Sequence, residues 1–110
     1  MDARDRQALI DIRGVLDRAL GYPIDNEETF LAKDYLQDAV IRCLEILGEA
    51  TKRLSPEVRL LHPDLPWRAM AGMRDVLIHA CDQVALEEVW VAYQRFVEIR
   101  RQIDGILNHS

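Results

Sequence analysis

Apolar residues recur at helical spacing through most of the chain. Leu9, Ile12, Leu16 and Ala19 form a first stripe in steps of three and four, which puts them on one face of a helix. Gly21-Tyr22-Pro23 predicts where that helix ends. Asp25 and Glu28 stand at capping-box spacing and predict the opening of a short helix. Leu36, Val40, Cys43, Leu47, Ala50 and Leu54 then alternate steps of four and three. They predict a packed seam on a long helix from about Lys33 to Arg53. In Ser55-Pro56-Glu57 the serine is a natural cap and the proline suits the first helical position. The helix it opens is short, because His62-Pro63 and Leu65-Pro66 interrupt the chain. Pro66 opens the next helix, expected to reach about Ala80. A final helix carries Leu86, Val89, Trp90, Tyr93, Phe96, Val97 and Ile103. No alternating apolar–polar run is bounded by turn residues, so strands are not expected. The pattern predicts an all-α protein: a four-helix bundle with one or two short extra helices, in a single domain over residues 1–110.

Composition narrows the picture. The chain has 110 residues, enough for one core. Hydrophobic residues make up 49% and charged residues 30%, the balance of a folded protein rather than a disordered one. The net charge of −5 makes the chain a poor general binder of polyanions, so contact with nucleic acid needs a local basic patch. Lys52, Arg53, Arg59, His62 and Arg68 surround the central turn and are candidates for it; the plain alternative is a solvated face. Cys43 and Cys81 do not suggest a disulfide scaffold. The N-terminus, Met1-Asp2-Ala3-Arg4-Asp5-Arg6, is too charged for a secretory signal, and no apolar run approaches the ~20 residues of a membrane span. A cytoplasmic protein without membrane contact is expected. No metal-ligand cluster is evident and no cofactor is expected. Trp67 and Trp90 read as core or dimer anchors, and Glu45 and Glu49 as a solvated helix edge.

One stretch stands apart: GMRDVLIHACDQV, residues 72–84. Its apolar centre, Val76-Leu77-Ile78, is bracketed by Arg74, Asp75, His79 and Cys81. Asp75 and His79 are four apart, so on a helix they share a face, and the carboxylate can orient the imidazole and favour its charged form. Arg74 and His79 are five apart and point ~140° away from each other on a straight helix. A second copy across a two-fold axis would bring two arginines and two histidines into one cleft. Such a set suits RNA cleavage without metal. Histidine supplies base and acid, and arginine holds the phosphate charge. The residues alone leave other readings open. His79 can be a core-edge histidine bonded to Asp75, or the cluster can serve recognition in a non-catalytic binding module.

The surrounding blocks add a resemblance. DAVIRCLEILGEATKRL at 38–54, HPDLPWRAMAGMRDVLIH at 62–79 and VALEEVW at 84–90 closely resemble the HepT-like toxin ribonucleases of the HEPN superfamily, in order and over nearly the whole chain. The resemblance implies a HEPN-like four-helix bundle, a symmetric homodimer and an RNA substrate. The family signature is arginine, four residues, histidine, any residue, tyrosine. It implies Arg74 and His79 as catalytic residues, with Asp75 at the polar position that supports them. It also implies a nucleotidyltransferase antitoxin that adds AMP to the motif tyrosine. Here that position holds Cys81, so the usual acceptor is absent. A second departure is Val84-Ala85, where the family tends to have Val-Asp. The function expected is a metal-independent endoribonuclease, the toxin of a toxin–antitoxin pair. The alternative is a non-catalytic nucleotide- or partner-binding subunit of a nucleotidyltransferase pair.

Overall fold

The computed structural model describes residues 1–76 and 83–109, and side chains at 1–73 and 86–109. The described residues form seven helices and no strand: α1 (Ala3–Leu20), α2 (Glu27–Ala32), α3 (Asp34–Lys52), α4 (Pro56–Leu61), α5 (Trp67–Val76), α6 (Gln83–Gln94) and α7 (Phe96–Asn108). The all-α architecture agrees with the hydrophobic pattern, and it is consistent with the HEPN-like fold that the resemblance implies.

Local chemistry accounts for most of the boundaries. Asp2 caps α1 by accepting the Arg4 N–H at 2.6 Å, and the helix stops at Gly21. At α2 the structure corrects the expected cap. Asn26, not Asp25, occupies the cap position, and its side chain accepts the Thr29 N–H at 2.8 Å. Asparagine one residue later serves the same purpose, because any short side-chain oxygen in extended backbone can reach the first-turn amides. Only Lys33 separates α2 from α3. The Gln37 amide donates to the carbonyls of Phe30 and Leu31, each at 3.1 Å, satisfying acceptors that the end of α2 leaves open. Ser55 caps α4 as expected. Its N–H and hydroxyl both donate to the carboxylate of Asp5, at 2.9 and 2.7 Å. Asp5 is buried, and this contact ties the start of α4 to the first turn of α1. The turn into α5 closes beneath Trp67, whose indole N–H donates to the His62 carbonyl at 2.8 Å.

Packing follows the predicted seams. Leu36, Val40, Cys43, Leu47, Ala50 and Leu54 are all buried, as are Leu9, Ile12, Leu16 and Ala19. α3 lies between α1 and α5, and α1 also packs on α7. Phe30, Trp90, Tyr93 and Phe96 form a ladder of rings with centroids 5.5, 5.7 and 5.5 Å apart. Trp67 is buried and Trp90 sits in this ladder, so both indoles serve packing. Arg13–Asp104 at 2.9 Å and Arg100–Asp17 at 2.7 Å join α1 to α7. Partly exposed pairs of this kind contribute only ~0–1 kcal/mol each and mainly fix register.

The last helix departs from the pattern. It divides at Arg95, whose N–H bonds to the Ala92 carbonyl three residues back at 3.1 Å. Tyr93, Phe96 and Ile99 are all buried at intervals of three. A tightened turn with three residues per repeat keeps such a series on one line, which a uniform α-helix would not. Val97, placed in the apolar stripe by sequence, is 65% exposed as a result. The stretch expected to carry α5 on to Ala80 lies outside the described residues from position 77.

Two substitutions test this core. Leu47→Ala should cost about 2–5 kcal/mol, the range for a fully buried leucine. Val97→Ala should stay within about 0.5 kcal/mol. Urea unfolding followed by circular dichroism reads both, and an equal shift in midpoint for the two variants would contradict the packing.

Candidate functional site

α5 carries the first two polar positions of the 72–84 stretch, Arg74 and Asp75. Trp67, Met70 and Met73 are buried, so the helix faces its core with residues three apart. The Met70 N–H bonds to the Pro66 carbonyl at 2.9 Å and starts the helical ladder. The backbone of Arg74 and Asp75 belongs to the last turn of α5. Their side chains, and all of His79 and Cys81, lie outside the described residues, so the Asp75–His79 relation and the two-fold cleft remain readings of sequence. The opposite face of α5 is exposed in part among the described residues. Arg68 and Ala69 are exposed, Ala71 and Gly72 are partly so, and a Cβ added at Gly72 would meet nothing within 4 Å.

The five residues proposed as a basic patch divide. Arg53 pairs with Asp11 at 2.8 Å. The Arg59 guanidinium donates to the Thr51 carbonyl at 2.8 Å while its buried Nε has no partner. These two arginines hold the fold together where α3 meets α1 and α4. Lys52 and Arg68 remain exposed. His62 lines an open cavity of about 900 Å³ bounded by α1, α4 and α7, together with Asp2, Asp5, Glu57, Asp64 and His109. Arg101 also lines it, so the wall carries both signs of charge. Glu45 pairs with Arg42 at 3.0 Å on the surface of α3, a solvated edge as expected. Among the described residues, no three His, Cys, Asp or Glu side chains gather as a metal site would.

Cys43 is the described thiol. It is buried, 3.8 Å from the Tyr22 hydroxyl, to which Arg18 Nε donates at 3.1 Å. Burial pushes the thiol's pKa up, against the opposing pull of Tyr22 and Arg18. A protonated, enclosed thiol is inert packing rather than a nucleophile. Sequence reading passed over Asp5, which clamps Ser55. Its partner lies fifty residues away, and no local pattern marks such a contact.

The described helices make a small all-α protein. The family model for ribonuclease HepT-like proteins matches residues 8–106, and the chain belongs to that family. It is 36% identical over 110 residues to the protein named "Putative RNase MJ0125" of Methanocaldococcus jannaschii, covering 97% of this chain and 95% of the relative. A second protein of that organism, "Putative RNase MJ1216", is also 36% identical over 110 residues, covering 97% and 91%. A shorter match, 51% over 63 residues and 57% of each chain, is to "Probable ribonuclease HepT" of Thermococcus cleftensis. No solved structure matches.

Thiol labelling tests the placement of Cys43. With excess iodoacetamide, peptide mapping should find Cys43 unmodified in the native protein and alkylated in guanidinium. Rapid native labelling at Cys43 would contradict its burial.

Proposed function

We propose that this protein is a metal-independent endoribonuclease that acts as a homodimer in the cytoplasm, as the toxin partner of a nucleotidyltransferase antitoxin. The family match carries this reading, because residues 8–106 take in the whole of the 72–84 stretch. In it, Arg74 and His79 stand at the spacing of the family signature.

The chemistry follows from the side chains. A histidine removes the proton from a ribose 2′-OH, and the 2′ oxygen forms a bond to the adjacent phosphorus. The bond from phosphorus to the 5′ oxygen breaks, and that oxygen takes a proton from the imidazolium of a second histidine. The products are a 2′,3′-cyclic phosphate and a free 5′ hydroxyl. Arg74 binds the phosphate oxygens through paired N–H groups and offsets the charge that develops there. Asp75 orients His79 and supports its charged form. Two histidines are needed at once, which is the reason for the dimer: each copy supplies one to a shared cleft. The partly exposed outer face of α5 supports this, since nothing described covers it. Cys81 stands at the family's AMP-acceptor tyrosine, so regulation by AMP transfer at that position is lost or altered.

His79→Ala and Arg74→Ala should each lower cleavage of a labelled RNA by at least about 10²–10⁴-fold, the usual contribution of an acid–base group. Helicity should be unchanged by circular dichroism. Asp75→Asn should be milder, because the amide still accepts a hydrogen bond. Activity should survive EDTA, and the cleaved end should be a cyclic phosphate. Wild-type protein that cleaves no RNA, or a His79→Ala variant as active as wild type, rejects the reading in favour of a binding module. Light scattering at micromolar concentration should give twice the chain mass; a monomer would remove the composite cleft.

A further inference from the structure

Most arginines of the described structure are already committed. Arg13, Arg42, Arg53, Arg100 and Arg101 sit in ion pairs, Arg59 donates to a backbone carbonyl, and Arg18 to Tyr22. The guanidinium groups of Arg4, Arg68 and Arg95 are exposed and engage no ion pair or hydrogen bond among the described residues. Of these three, Arg68 lies on the helix that carries Arg74 and Asp75. We infer that Arg68 is a second RNA-backbone site, binding a phosphate some nucleotides away from the one to be cleaved and setting how tightly the strand is held. This rests on the ribonuclease reading above.

The geometry of α5 supports it. Trp67, Met70 and Met73 take the buried side, so position 68 falls on the opposite face. Four and seven residues on, that face continues through Gly72 to position 75, a distance of ~10 Å along the axis at 1.5 Å per residue. The intervening surface is made of Ala69, Ala71 and Gly72, and a Cβ at Gly72 would touch nothing within 4 Å. Along positions 68–72, among the described residues, a strand can therefore lie on the helix without meeting a bulky side chain. The first turn of α5 contains no acidic residue, and the acidic position on this face, Asp75, stands at its far end. In a chain of net charge −5, a free guanidinium in this place is well suited to hold the strand, and guanidinium geometry matches phosphate oxygens in pairs.

Substrate length separates this role from a structural one. A dinucleotide has one phosphodiester, which the catalytic pair occupies, whereas a single-stranded hexanucleotide offers further phosphates. On a randomised hexanucleotide pool, Arg68→Ala should raise KM about tenfold, the effect of one charge-assisted contact, with kcat within about twofold. On a dinucleotide pool the variant should match wild type. Arg68→Lys should recover part of the hexanucleotide loss, and Arg95→Ala, which removes an exposed arginine at the α6–α7 junction, should change neither. Filter binding of the hexanucleotide across a salt series should give a slope shallower by about 0.7 for Arg68→Ala, one single-strand phosphate contact. An active wild type with Arg68→Ala unchanged on both pools, or equally impaired on both, overturns this inference and leaves the ribonuclease reading standing. A wild type that cleaves neither pool overturns the ribonuclease reading itself, and this inference with it.

Discussion

The apolar seam of α3 is buried against α1 on one side and α5 on the other. Leu36, Val40, Leu44 and Leu47 are essentially inaccessible to water, and full burial of each such side chain stabilises by about 1.5–3 kcal/mol. Three long helices thus share one interface, and α7 reaches it through α1. Because α3 is the middle layer, its register sets those of its neighbours. A shift of one residue would turn the seam by ~100° and expose it on both sides. The direction in which α5 presents its outer face, and so the place of Arg68 and Gly72, depends on this one apolar surface.

Around that layer, polar contacts decide where each helix begins and stops. Asp5 accepts two hydrogen bonds from Ser55, which makes a buried carboxylate tolerable and fixes α4 against α1. Gln37 closes the end of α2 from within α3, and Trp67 closes the turn before α5. Each side chain satisfies backbone or carboxylate groups that would otherwise lose water without replacement. Together they leave α5 with a defined starting point, from which its last turn delivers positions 74 and 75.

Charge is distributed to match. Four carboxylates line the cavity beside α1, α4 and α7, and Arg13, Arg53, Arg59 and Arg100 tie helix to helix. The outer face of α5 escapes both trends, with one free cation and a run of small residues. An acidic protein that handles a polyanion needs such a partition, since unpaired carboxylates near the strand would act over several ångströms.

Much of this was legible in sequence. The α1 and α3 stripes, the Ser55-Pro56 start and the all-α class all follow from spacing and capping, which are local properties that neighbours in sequence enforce. The candidate site was legible as a motif, because Arg74, Asp75 and His79 lie within six positions of one another. What sequence could not reach were contacts between distant segments. The Asp5–Ser55 clamp joins residues fifty apart, and the division of the last helix at Arg95 arises because Tyr93, Phe96 and Ile99 must all enter the same core. Likewise, five basic residues near one turn looked equivalent in sequence. Tertiary structure assigned Arg53 and Arg59 to the fold and left Arg68 free, because which cations find a carboxylate or carbonyl depends on how helices meet, and no local pattern encodes that.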